Sequence, residues 1–133
     1  MNTRHEIVSD WLPRYTDTPL EEFGQYILLT NYHSYVRMFA ERFDCAFRGE
    51  NTPMQTATMD DVTIISFGMG SPLAATIMDL LTAVRPRAAL FLGKCGGLKK
   101  KIKVGEFSPD PAFRYRKAPP KPLHFKEFGP GTT

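Results

Sequence analysis

The sequence predicts an α/β fold, a mainly parallel, twisted sheet covered by helices. Three observations predict it. Short continuous apolar runs at residues 26–30 and 88–92 read as strands buried on both faces. Apolar residues recur at helical spacing in two stretches between the strands. Two glycine-rich turns, G-M-G-S-P at 68–72 and G-K-C-G-G-L at 93–98, each follow a strand directly. The resulting β-α-β-β-α-β order fits parallel strands joined by helical crossovers.

The elements follow in chain order. Residues 1–25 read as a leader in which Trp11, Leu12 and Tyr15 can pack, broken up by Pro13 and Pro19. Thr18-Pro19-Leu20-Glu21 suits the start of a short helix. Y-I-L-L-T at 26–30 is the first strand. Tyr32, Val36, Phe39 and Phe43 then place a helix over 34–43. The runs 54–59 and 62–67 flank Asp60-Asp61, a hairpin turn. Ser71 is suited to cap the next helix, with Pro72 at its first position and Leu73, Ile77, Leu80, Leu81 and Val84 as its buried stripe. Residues 88–92 form the next buried strand. An apolar stretch begins at Ile102 and stops at Phe107.

Composition narrows the class. The 133 residues are enough for one modest domain, and 42% of them are hydrophobic. No apolar run reaches the roughly 18 residues of a membrane span, and the first residues lack the apolar core of a signal peptide. Cys45 and Cys95 match no metal spacing, which favours a reduced, cytoplasmic setting. Residues 1–107 carry twelve Lys/Arg and twelve Asp/Glu, so the net charge of +3 belongs entirely to residues 108–133. The body offers no electrostatic basis for nucleic-acid or membrane binding. The cluster Lys99, Lys100, Lys101 and Lys103 reads as a solvated loop.

Residues 108–133 differ in kind. They hold six of the eleven prolines, and Leu123 is their only aliphatic residue larger than alanine. Such a segment buries too little apolar area to offset its ordering entropy, and disorder is the expectation. The organisation expected is therefore a leader at 1–25, an α/β domain at 26–107 and a Pro-rich basic tail at 108–133.

In parallel sheets, ligands bind beyond the carboxyl ends of the strands, where Gly68 to Gly70 and Gly93 to Gly97 fall. Backbone N–H groups in such turns can face an anion. Taken alone, G-M-G-S-P is a weak signal, since Gly68 and Gly70 also suit a tight strand-to-helix turn. The pair G-M-G-S-P…G-K-C-G-G-L, however, resembles the nucleoside phosphorylase superfamily. The runs R-Y-T-D-T-P-L-E-E-F-G-Q-Y-I-L-L-T-N-Y-H-S-Y-V-R-M-F-A-E-R-F and M-D-L-L-T-A-V-R-P-R-A-A-L-F-L-G-K-C-G-G-L-K are similar to the AMP nucleosidases within it. The resemblance covers roughly residues 3–107.

The resemblance implies an incomplete three-layer sandwich of the nucleoside phosphorylase type. It implies an N-glycosyl hydrolase that splits AMP into adenine and ribose 5-phosphate, in purine salvage. It places Met69 against the ribose, although a core-filling side chain fits that position as well, and counts Gly70 among the substrate-binding residues. Gly93 and Lys94 fall where the family's strand-end turn faces phosphate, with Lys94 as a point charge for the 5′-phosphate. Arg48 corresponds to an arginine that reaches a neighbouring subunit's phosphate site, although an exposed hairpin arginine fits that position as well. His33 is a contact for phosphate or ribose, or else a local hydrogen-bonding residue. Cys95 reads as space filling. The partners implied are AMP and further copies of the chain in a homo-oligomer. Neither the residues nor the resemblance asks for a metal or cofactor.

Departures from the pattern bear on the chemistry. Phosphorylases carry a glycine-aspartate-proline loop and arginines that hold inorganic phosphate. Here Asn31-Tyr32-His33-Ser34-Tyr35 and Phe91 stand in those places. Loss of those cations favours water as the nucleophile. The family's ribose-gripping glutamate and purine-protonating aspartate match no residue here; Glu106 and Asp110 lack the motif context. Likeness, charge balance and periodicity all end near Phe107, so an out-of-frame or truncated tail is expected. Two other readings stand beside hydrolysis: a non-catalytic fragment that binds nucleotide weakly or only assembles with partners, and a small protein whose basic tail binds acidic partners or RNA.

Overall fold

The computed structural model describes residues 1–94 and 103–105. Its helix α1 (Arg4–Thr16) is absent from the sequence reading, which broke residues 1–25 at their prolines. The helix forms because Thr3 and Glu6 make a capping box: Thr3 Oγ1 accepts from the Glu6 N–H, and Glu6 Oε2 accepts from the Thr3 N–H at 2.6 Å. Pro13 lies in the last turn, where it removes one bond while burial of Val8 and Leu12 holds the helix down. Trp11, expected to pack, stays half exposed and stacks on Tyr15 at 5.8 Å. A single 3₁₀ turn follows at Leu20–Glu22, with Pro19 before it and no side-chain cap. Thr18 instead turns inward, bonding Thr16 O at 2.9 Å and Thr56 Oγ1 at 2.6 Å.

The sheet comprises β1 (Tyr26–Thr30), β2 (Phe47–Arg48), β3 (Gln55–Met59), β4 (Val62–Ser66) and β5 (Ala88–Leu92), in the order β2-β3-β4-β1-β5. β1 pairs in parallel with β4 and β5, whereas β3 runs antiparallel to β2 and β4. Four strands thus point one way and β3 the other, so the sheet is mainly parallel. The β3–β4 turn is the expected Asp60-Asp61 hairpin, with Asp60 in the left-handed region at φ 51°.

Two layers of helix cover the sheet. α1 and α3 (Ser71–Leu80) pack on one face against Ile27, Leu29, Ile65 and Phe67. α2 (His33–Phe43) packs on the other, where Val36 and Ala40 meet Ala57, Ile64 and Leu28. Alternation along each strand divides the core this way. An α/β/α three-layer arrangement results, as the family resemblance implies. Ile77, Leu80 and Leu81 form the buried stripe of α3 and its 3₁₀ extension, while Leu73 stays 37% exposed. Gly70, not Ser71, caps α3, with φ 97°; Ser71 is already helical.

One strand departs from expectation. β5 reads as doubly buried, yet Leu90 is 45% and Phe91 54% exposed. Among the described residues β5 pairs only with β1 and forms the sheet edge, beyond the span that α1 and α3 cover. An apolar composition alone does not distinguish an edge from a centre.

The chain divides into two units, Met1–Lys94 and Cys95–Thr133. Of the second, residues 103–105 are described, with Val104 exposed and Gly105 at φ 84°. The second half of the G-K-C-G-G-L turn, the Lys99–Lys101 cluster, Glu106, Asp110 and the Pro-rich tail lie outside the described residues. No helix among the described residues is long and apolar enough to cross a membrane.

Candidate functional site

Register places the site. Thr30 of β1 pairs with Ser66 of β4 on one side and with Leu92 of β5 on the other. The three parallel strands therefore end on one rung, and their following segments emerge together at the carboxyl edge. Those segments are 31–33, 67–70 and 93–94, which hold five of the six residues singled out from the sequence.

The first two segments are stitched to each other. Phe67 N–H donates to Thr30 O at 3.1 Å, continuing the ladder past the strand ends. Asn31 Nδ2 donates to Gly68 O at 2.5 Å. The Tyr32 N–H donates to Thr30 Oγ1 at 3.2 Å, which turns the chain into α2. His33, the first residue of that helix, sets its Nδ1 2.6 Å from Ser66 Oγ, at the end of β4. Ser66 is fully buried and His33 is exposed, so the ring stands at the surface on a fixed footing.

The turn after β4 needs its glycines. Gly68 and Gly70 have φ 86° and 97°, a region that other residues enter at a cost. A Cβ on Gly68 would also meet Leu73 Cδ1 at 2.9 Å. Between them Met69 is 66% exposed at the strand-end edge. It fills no core, which leaves it available to a ligand. Gly70 O accepts the first helical bond of α3, from the Ala74 N–H at 3.1 Å.

On the third segment, Gly93 follows β5, and a Cβ there would lie 2.6 Å from the Phe91 ring. Lys94 reaches back over α2: its Nζ sits 4.8 Å from the centroid of Tyr32 and 5.7 Å from that of Tyr35. The two rings lie 5.2 Å apart, tilted by 53° to each other, and hold the ammonium by cation–π attraction. Lys94 is thereby brought beside the residue that precedes His33. An apolar cleft of about 390 Å³ opens on the α3 side, lined by Leu29, Asn31, Phe67, Gly70, Ala74 and Phe91 among others.

Arg48 is not brought to this place. It lies on β2, at the sheet edge opposite β5, where its Nε and Nη2 each approach the Glu22 carboxylate at 2.7 Å. Within one chain it holds the 3₁₀ turn to that edge. Cys45 is partly buried, and its desolvation, followed by the charge of Asp44, pushes the thiol pKa up, which makes it a poor nucleophile. Among the described residues no group of three His, Cys, Asp or Glu side chains is arranged to hold a metal.

Four site residues escaped the sequence reading as contributors: Asn31, Tyr32, Tyr35 and Ser66. The i, i+3 spacing of Tyr32 and Tyr35 on one helix face was the visible signal for the aromatic seat. Nothing in the sequence pairs Ser66 with His33, because that contact depends on the parallel register of β1 and β4.

Comparison with known proteins supplies the relatives of this arrangement. A family model described as the phosphorylase superfamily matches residues 20–108. The crystal structure of AMP nucleosidase from Bacteroides thetaiotaomicron VPI-5482 is 56% identical, with a TM-score of 0.70, over 73% of this chain and 42% of that one. The AMP nucleosidases of Escherichia coli strains K12 and O157:H7 are each 28% identical over 134 aligned positions, 72% of this chain. The chain spans 28% of the length of those curated relatives.

Proposed function

Because the chain belongs to the phosphorylase superfamily, we propose that it serves the hydrolysis of the N-glycosidic bond of AMP, giving adenine and ribose 5-phosphate. The observation that carries this reading is the strand-end crevice with Lys94 seated on Tyr32 and Tyr35 beside His33. A cation and an imidazole at that edge suit the phosphate of a nucleotide. The 56% identity to a bacterial AMP nucleosidase over 73% of the chain supports the same substrate. Where phosphorylases have cations to hold an attacking phosphate, Tyr32, His33 and Phe91 stand instead, which favours water as the attacking group.

On this reading Lys94 and His33 bind the 5′-phosphate, and Met69 lies along the ribose. The backbone of Gly70 and Gly93 lets the sugar and phosphate approach closely. Fixing the phosphate and ribose at a rigid strand end orients the anomeric carbon for attack. The ribose-gripping glutamate and the acid that protonates adenine have no counterpart among these 133 residues. The site on this chain is therefore one wall of the catalytic centre, in a cytoplasmic homo-oligomer in which Arg48 would have to leave Glu22 to reach a neighbouring copy's phosphate.

Adenine release from AMP by the purified chain, with and without inorganic phosphate, tests the reaction. The expected result is AMP binding with no turnover well above background. Phosphate-dependent release would overturn the hydrolytic reading. Robust release without phosphate would show that these residues suffice for catalysis. The second reading, a non-catalytic nucleotide-binding piece, rests on the same unmatched acid and predicts the same binding without release for this chain by itself.

A further inference from the structure

We infer that Ser66 is a positioning residue, which holds His33 as the neutral tautomer with its proton on Nε2. The ring then presents a hydrogen-bond donor, not a general base, to an oxygen of a phosphate monoester. The identity of that ligand rests on the nucleotide reading above; the tautomer does not.

Ser66 occupies the last rung of β4 with no exposed surface. A serine hydroxyl has one proton to place, and leaving it unpaired in the interior costs about 1–3 kcal/mol. Among the described residues the only partner of Ser66 Oγ is His33 Nδ1, at 2.6 Å. The hydroxyl therefore donates, and Nδ1 is the bare nitrogen that accepts. In a neutral imidazole the proton then resides on Nε2. The reverse arrangement, with Nδ1–H donating, leaves the buried Ser66 proton without an acceptor.

The surroundings fit a donor. The ring sits at the start of α2, anchored through the Asn31–Gly68 and Tyr32–Thr30 bonds. Its outer side is exposed, and Nε2 has no partner among the described residues. Lys94 is held on the adjoining Tyr32. One full cation and one neutral donor at the same edge match an oxyanion that only accepts. A base that activates water would need a bare Nε2, so on this assignment the water is activated elsewhere.

The test uses the full 133-residue chain labelled with ¹⁵N-histidine. Long-range proton–nitrogen spectra distinguish the two tautomers, and a His33→Asn variant assigns the signal. The expected spectrum shows protonated Nε2 and bare Nδ1. Ser66→Ala should mix the tautomers and weaken AMP binding about three- to tenfold, while Ser66→Thr, which keeps a hydroxyl, should retain both. AMP should move the Nε2 signal and adenosine should leave it unchanged. A wild-type ring protonated on Nδ1 overturns the inference, as does Ser66→Ala with tautomer and affinity unaltered. If Ser66→Ala does not fold, the wild-type spectrum decides. An Nε2–H ring with equal response to AMP and adenosine upholds the Ser66 assignment and refutes the nucleotide reading.

Discussion

Asn31 Nδ2 donates to the Gly68 carbonyl at 2.5 Å and so ties the end of β1 to the turn after β4. The bond links the segment that carries His33 to the turn that carries Met69. Asn31→Asp removes the donor and faces a carboxylate toward a carbonyl. It should cost about 1–2 kcal/mol of stability and weaken AMP binding several-fold, read by thermal denaturation and calorimetric titration. Unchanged affinity would mean that the latch does not shape the site.

Gly70→Ala separates backbone strain from crowding. A Cβ at Gly70 has ordinary clearance, 3.6 Å from Pro72 Cδ, but φ 97° is unfavourable to any L side chain. The substitution should cost about 1–2 kcal/mol and loosen the start of α3, seen as faster hydrogen exchange at Ala74. Full retention of stability would contradict the assigned conformation.

Gly24→Ala should be far more damaging. Its Cβ would lie 2.3 Å from the Asp61 carbonyl carbon and oxygen, both backbone atoms that cannot step aside. The Gly24 N–H also donates to Thr63 Oγ1 at 2.8 Å. A loss of more than about 3 kcal/mol is expected in urea denaturation, since relief requires moving β1 against the β3–β4 hairpin.

Acid should weaken the N-terminus of α1. The Thr3 backbone and side-chain hydrogen bonds hold the Glu6 carboxyl pKa below its ordinary value. A depressed pKa means that the folded state favours the charged form. The associated stability is present above the unfolded pKa and is lost as pH falls through the folded one. Glu6→Gln should flatten this pH dependence, measured by helix signal between neutral and acidic pH. An unaltered profile would remove the capping box from the account.

Much of this was legible in the sequence, and the failures have physical reasons. The strand at 26–30, the Asp60-Asp61 hairpin and the α2 stripe follow from apolar periodicity, which burial enforces. The turn at Gly68 and Gly70 is legible because φ near +90° admits little but glycine. α1 is hidden by Pro13, which reads as a helix breaker although the Thr3-x-x-Glu6 cap and the burial of Val8 and Leu12 outweigh it. β2 is two residues long and leaves no periodic trace. The exposure of β5 depends on which strand lies at the edge, a property of topology and not of local composition. The Lys94–Tyr32 and His33–Ser66 contacts likewise join residues that only the parallel register brings together.

On the proposed reading, the strand-end crevice holds a nucleotide by its phosphate. Calorimetric titration of AMP and adenosine into the wild-type chain and Lys94→Met tests it most directly. AMP should bind at least about tenfold more tightly than adenosine to wild type, as a charge-assisted contact implies. Lys94→Met should remove most of that difference and leave adenosine binding unchanged. Equal affinities in the wild type, or a preference for AMP that survives Lys94→Met intact, would contradict the claim.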